Sequence, residues 1–313
     1  MEKVTELIKN AKRAVILPHI SADADALASC QAMRCVLLGM GIEAFVIAEE
    51  AVESRLEFIS DGVLIYDGNV PEFDICIVLD CGDVERTGNR AEIVKKAKTV
   101  VNIDHHKTNT RFGDAYLVVD TASATGEILY SLFGTMGVPI TQEIAKFLYT
   151  AICSDTGCFA YSNVSPDTFI TASELIKLDI NHAEISRLLF DCVDMDEEFL
   201  KAGLTNNIKS YCDGRIRTVV MTEEFANKFG LNPDEVDGLV DIPRRIRGTE
   251  IAAALKEVNG KIRVSLRSNG EADVSKVALK FDGGGHIKAA GCSIYEDIDT
   301  AEKLIVKACE EVL

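Results

Sequence analysis

The sequence lacks any run of eighteen apolar residues, which argues against a helix that crosses a bilayer. It also lacks a basic, apolar, small-residue leader at its start. A soluble cytoplasmic protein with no membrane partner is therefore expected. None of its ten cysteines stands in a C-x-x-C pair, and they are spread too thinly for a disulfide framework, so reduced thiols are expected. Three pairs, Cys30/Cys35, Cys76/Cys81 and Cys153/Cys158, recur at one spacing. Small buried thiols beside packed elements explain them more simply than thiolate metal ligation. Basic residues are scarce, 33 Lys and Arg against 50 Asp and Glu for a formal charge of −17. Affinity for a long phosphate backbone comes from Lys and Arg, so long duplex nucleic acid is excluded as a partner. No low-complexity segment and no internal repeat interrupts the chain.

A chain of 313 residues is longer than one core usually holds. Strand-like runs at 14–17, 43–48, 74–79 and 99–103 alternate with helical patterns at 25–38 and 84–97, which predicts a parallel sheet flanked by helices. Helical patterning then dominates 122–136, 141–154, 166–178 and 182–210. Beyond it, "IAAALKEV" and "KIRVSLRS" flank Asn259-Gly260, a hairpin signal. The fold class expected is α/β: an N-terminal domain over 1–190, a helical linker over 191–212, and a smaller C-terminal α/β domain over 213–313, with a cleft between the two domains.

Ligand-grade side chains sit where the strands end. "ILPHISADADAL" places His19, Asp23 and Asp25 after the first strand, "IVLDCGD" places Asp80 and Asp83 after another, and "VNIDHHKTN" places Asp104, His105 and His106 after a third. Open α/β sheets bind ligands at that carboxyl edge. Asp155, in "AICSDTGCF", ends an apolar helix before a glycine that can turn it back toward the same rim. The chain has only five histidines, and His19, His105, His106 and His286 all fall in such motifs; His182 reads as a polar residue near a helix start. N-capping by Asp25 or Asp83 with ordinary loop polarity is the plainer alternative, but it leaves the histidines unexplained.

Mixed imidazole and carboxylate donors without thiolate suit hard or borderline divalent ions, Mn²⁺ first, with Mg²⁺ or Co²⁺ as alternatives. So many ligand-grade groups exceed the needs of one ion. Two such ions would activate water at neutral pH and clamp the oxygens of a transferring phosphoryl group.

In these motifs the chain resembles the DHH phosphoesterases, a family named for the triplet that stands here as Asp104-His105-His106. The pattern H-x-x-x-D-x-D, the Leu-Asp pair at Asp80, the DHH triplet and "SDTG" follow in the family's order, and "FDGGGHIKAAG" over 281–291 resembles its DHH-associated domain. Among these proteins the resemblance is to the bacterial nano-RNase and pAp-phosphatase branch. It implies one ion on His19, Asp23, Asp80 and Asp155, and a second on Asp25, Asp80, His105 and Asp155. It further implies His106 facing the substrate phosphate, Asp104 orienting the histidine pair, and Asn109 at the family's asparagine position beside the substrate.

In the C-terminal region, residues 241–290 carry ten Lys and Arg against six Asp and Glu, an island of +4. Gly283, Gly284 and Gly285 allow close backbone approach to a phosphate, and Arg267 and His286 supply directed donors. A flexible turn would explain the glycines alone; the adjacent basic groups favour nucleotide holding. The function expected is hydrolysis of very short oligoribonucleotides from an end and removal of the 3′-phosphate of 3′-phosphoadenosine 5′-phosphate (pAp) to give AMP. A linear or cyclic dinucleotide phosphodiesterase is the enzymatic alternative, and a non-catalytic nucleotide sensor the alternative of another class. Short oligoribonucleotides and pAp are the expected partners, with a homodimer open.

Overall fold

The computed structural model describes residues 1–313 apart from the side chain of Glu235. The chain forms two compact units, Met1–Cys192 and Val193–Leu313.

The first unit runs α1 (Glu2–Lys9), β1 (Arg13–Leu17), α2 (Ala24–Gly39), β2 (Glu43–Ala48), β3 (Val63–Ile65), β4 (Ile75–Leu79), α3 (Ala91–Lys96), β5 (Val100–Asp104), β6 (Ala115–Val118), α4 (Thr125–Met136), α5 (Gln142–Asp155), α6 (Pro166–Ile176) and α7 (His182–Phe190). Its six strands are all parallel, in the order β3-β2-β1-β4-β5-β6. Successive residues of a strand face opposite sides, and here both sides are apolar. Ala14 and Ile16 pack under α2, α4 and α5 on one face, while Val15 and Leu17 join Cys76, Val78 and Ile93 of α3 on the other. That two-sided burial is why these strands read as continuous apolar runs. At the centre β1 and β4 are neighbours whose connections leave toward opposite sides of the sheet. This is the switch point where such sheets open a crevice.

The helix expected over 84–97 is divided. A 3₁₀ segment, Glu85–Arg90, turns at Gly88 (φ 64°, ψ −138°) before α3 begins. The pattern expected over 182–210 likewise splits into α7 and a separate helix, α8 (Met195–Thr205).

The second unit continues with α8, β7 (Lys209–Tyr211), β8 (Ile216–Met221), α9 (Glu223–Asn227), α10 (Asp241–Arg244), β9 (Ile251–Val258), β10 (Lys261–Ser268), α11 (Val274–Leu279), β11 (Gly284–His286), β12 (Ala289–Ile294) and α12 (Ile298–Glu310). Its sheet, β11-β12-β10-β9-β8-β7, is antiparallel except between β8 and β9. Asn259 and Gly260, both at positive φ, close the β9–β10 hairpin in the manner of a type I′ turn. Within the segment expected as a linker, α8 is part of this unit's core: Leu200 and Leu204 pack with Val219, Met221 and Ala254.

Candidate metal centre

Three strand ends and two helix ends bring the predicted residues of the first unit together. The turn after β1 carries His19 and leads into α2, whose N-cap is Asp23: one of its carboxylate oxygens accepts the Ala26 N–H at 3.0 Å. The cap fixes Asp23 while its other oxygen lies 3.7 Å from His19 Nε2. Asp25, in the first turn of α2, is fully buried and accepts the N–H groups of Thr125 (2.7 Å) and Gly126 (3.2 Å) at the start of α4, and the Ser29 hydroxyl (2.9 Å). The positive end of α4 therefore points at a buried carboxylate.

Asp80 follows β4 with a left-handed backbone, φ 54°. For a non-glycine residue such a backbone is costly and is typical of functional sites. Asp80 sits at the middle of the cluster: its carboxylate is 3.7 Å from His19, 3.5 Å from His105 and 3.7 Å from His106, and accepts the Thr125 hydroxyl at 2.9 Å. Asp155, the last residue of α5, lies 3.2 Å from His105 Nε2, and Asp25 lies 4.0 Å from the same atom. Asp83 does not join them; it accepts the Arg86 N–H at 2.9 Å.

Two histidines of the triplet have different roles in this geometry. His105 donates from Nδ1 to the Ala122 carbonyl at 3.3 Å, which directs Nε2 into the carboxylates. His106 donates from Nδ1 to Asp104 at 2.7 Å, and its side chain is 39% exposed. Asp104 is fully buried and braced from behind by Asn109 at 2.6 Å. The amide of Asn109 also reaches Asn102 at 2.9 Å, and its carbonyl accepts the Arg111 N–H. Asn109 thus has its amide on Asp104; the resemblance implies a place beside the substrate. Asn102 itself, buried in β5 and donating to Cys81 O at 3.1 Å, was missed. Its signal was a lone amide inside the apolar run "VVNID".

The electrostatics are those of crowded like charges. Burial, reinforced by Asp25, pushes the Asp155 carboxyl up to about 9. Burial, with Asp25 and Asp23 nearby, pushes Asp80 up to about 7. Asp25 is raised chiefly by burial. Burial alone would lower His105, but Asp25, Asp80 and Asp155 outweigh it and bring it up to about 9. Burial alone would raise Asp23, but neighbouring His19, the Ala26 N–H and His106 together outweigh it and hold it below its usual range. Among the described residues, no Lys or Arg forms an ion pair with any of these carboxylates; only histidines do. Such a set is stable only with added positive charge.

The residues fit divalent cations. Three overlapping groups, His19/Asp23/Asp80, Asp80/His105/His106 and Asp25/His105/Asp155, each place ligand atoms within 4.8 Å of one another. The donors are oxygen and imidazole. The thiol that follows Asp80 in the chain, Cys81, donates to Asp83 O instead.

Residues 13–152 match the DHH family, N-terminal domain, and residues 216–313 match the DHHA1 domain. The chain belongs to the DHH family. Over its full length it is 29% identical to a bifunctional oligoribonuclease and PAP phosphatase NrnA of Thermus thermophilus, covering 94% of that protein. It is 27% identical to the Bacillus subtilis protein of the same name over 96% of both chains. Among solved structures, an exopolyphosphatase-related protein from Bacteroides fragilis superposes with a TM-score of 0.93 at 27% identity, covering 99% of this chain and 95% of that one. This DHH phosphoesterase has no helix long and apolar enough to cross a membrane among its described residues.

The remaining predicted site residues lie in the DHHA1 unit. Gly284, Gly285 and His286 form β11, the exposed edge strand of the second sheet, rather than a loop. Cβ atoms at Gly283 and Gly285 would come within 2.5 Å of β12 atoms, so glycine is what allows the two strands to approach this closely. Register places His286 opposite Ala289 and Ala289 opposite Arg267, so Arg267 and His286 share one face of the sheet. Arg263, Ser265 and Arg267 line a concavity of about 360 Å³ on that face together with Lys256.

Proposed function

We propose that this DHH phosphoesterase hydrolyses very short oligoribonucleotides from an end and removes the 3′-phosphate of pAp, with two Mn²⁺ ions held by His19, Asp23, Asp25, Asp80, His105 and Asp155. The observation that carries the reading is the central place of Asp80, whose carboxylate belongs to both the His19/Asp23 and the His105/His106 groups. Relatives named for this pair of activities match the chain from end to end, which favours the same substrate class.

Bound there, two cations would supply charge for the transferring phosphoryl group and activate water. The chain's own residues do the rest. Asp80, buried, and Asp155, partly buried beside it, hold negative charge only when it is compensated, so the cluster takes up cations readily. Asp104 accepts from His106 Nδ1, which orients the ring and raises its pKa, so that the imidazolium can donate from Nε2 toward a phosphate oxygen or pass that proton to the leaving oxygen. Asn109 and Asn102 keep Asp104 in place. In the second unit Arg267, His286 and the exposed glycine edge hold a terminal phosphate or base, and the small basic island fits a substrate of few phosphates. The deciding assay incubates purified protein and Mn²⁺ with pAp, with labelled RNA of graded length, and with pyrophosphate. Release of AMP and of mononucleotides from the shortest RNAs is expected. Cleavage of pyrophosphate alone would overturn the reading.

A further inference from the structure

The three cysteine pairs share one spacing but have three backbone geometries. Cys30 and Cys35 lie on one helix, α2, where five residues advance about 7.5 Å. Cys76 lies in β4 and Cys81 beyond its end, and the extended steps from Cys76 to Leu79 alone span about 10 Å. Disulfides need Cα atoms about 4.4–6.8 Å apart, so neither pair can close. Cys153 and Cys158 differ because α5 ends between them. The Cys158 N–H donates to Cys153 O at 2.8 Å and the Gly157 N–H to Ser154 O at 3.0 Å. These two bonds define a Schellman motif, in which the side chains at the positions of Cys153 and Cys158 meet.

Both sulfurs lie 3.6 Å from the same Ser186 hydroxyl on α7, so the two side chains converge on one point. Cys153 is buried and Cys158 exposed. Gly157, Cys158 and Phe159 are all left-handed (φ 55°, 55° and 64°), so the turn is tightly constrained. Asp155 lies inside the loop that the two cysteines would close.

We propose that Cys153 and Cys158 are a reversible dithiol–disulfide site, oxidised by a hydroperoxide, that controls the turn carrying Asp155. The exposed Cys158 thiolate attacks the peroxide oxygen, forming a sulfenic acid and releasing water after protonation. Cys153 then attacks that sulfur, its proton leaves with the departing hydroxyl as a second water, and the S–S bond forms. Closure draws the sulfurs from beside the Ser186 hydroxyl to about 2.05 Å from each other, a shift the turn beside Asp155 absorbs. The effect on metal binding rests on the proposal that Asp155 is a ligand.

The test treats the reduced full-length protein with hydrogen peroxide, maps its peptides by mass, and measures Mn²⁺ binding by calorimetry before and after. A peptide containing Cys153 and Cys158 should lose two hydrogens, reversibly with dithiothreitol, and Mn²⁺ affinity should fall about tenfold, the scale set by groups that orient metal ligands. In Cys158→Ser, peroxide should leave Mn²⁺ affinity unchanged. Reduced protein that binds Mn²⁺ but forms no such cross-link, or that forms it with no change in affinity, overturns the inference. Reduced protein that binds no Mn²⁺ overturns the metal reading instead, and the mass map still decides the cross-link.

Discussion

Each unit buries carboxylates, and it handles them differently. In the second unit Glu302 is 3% exposed, yet it accepts from Lys209 Nζ and the Thr218 hydroxyl, both at 2.5 Å, and from the Tyr211 hydroxyl at 3.3 Å. Its charge is compensated by the chain itself. In the first unit Asp25 and Asp80 are as deeply buried, Asp155 stands beside them, and the ion pairs they form are with histidines alone, among the described residues. One carboxylate is a structural element; the others form a cluster to which, among the described residues, no Lys or Arg brings a counter-charge. Burial by itself therefore does not mark a functional acid; the missing partner does.

The sharpest way to break that comparison is a pair of isosteric neutralisations. Asp80→Asn keeps a residue type that tolerates the left-handed backbone. Mn²⁺-dependent turnover should fall by about a thousandfold or more, since several kcal/mol of charge stabilisation goes with the site. At pH 8 the same variant should be more stable than wild type when metal-free, because a buried like charge is gone. Glu302→Gln should do the reverse, leaving turnover in place and costing about 1–2 kcal/mol of stability, limited by the half-exposed Lys209. Denaturant titration with and without Mn²⁺ reads both; loss of stability in metal-free Asp80→Asn would end the distinction.

A second contrast sets chemistry in the first unit against holding in the second. Arg267→Ala or His286→Ala should raise the KM for pAp by the worth of a charged hydrogen bond, about 1.5–3 kcal/mol. A small generic phosphodiester should be cleaved at the wild-type rate. Equal loss on both substrates would show that the second unit takes part in the chemistry.

The pH dependence of the metal-free protein gives a third measurement. Asp80 and Asp155 have folded-state values raised to about 7 and about 9, so the stability they contribute is present below their ordinary carboxylate range and is lost as pH rises through those values. His105, raised to about 9, loses its contribution on the same side. Thermal melts with and without Mn²⁺ should show an increment in Tm that grows from pH 6 to pH 9. An increment that shrinks over that window would contradict the like-charge account.

The smallest effect expected concerns salt. With +4 confined to residues 241–290 and −21 on the rest of the chain, a substrate engaging two or three phosphates should show a slope of log affinity against log salt of about −1 to −2. Initial rates per end should drop beyond about five nucleotides, since that salt slope leaves no extended basic track. A twenty-four-mer cleaved as fast as a dimer would require one.

Much of this was legible in advance because the signals are local. The runs at 43–48 and 99–103 became β2 and β5, and Asp155 does end a helix before a glycine. What escaped is non-local. The helix pattern over 84–97 is continuous by residue type, yet the chain turns at Gly88. Asn109 carries no mark that tells a brace from a substrate contact; only the position of Asp104, fixed by β5, turns its amide inward.

The sequence by itself determined which residue types end the strands and the parallel sheet with both faces buried, because periodicity and side-chain chemistry are properties of short stretches. Tertiary structure decided what those residues become together. Pairing of β1 with β4 sets His19 beside Asp80, α4 presents its N-terminus to Asp25 from a hundred residues away, and the end of α5 folds Cys158 back on Cys153. Distance and charge compensation between segments remote in the chain exist only once the sheet is built, and they separate a buried acid that needs a cation from one that does not.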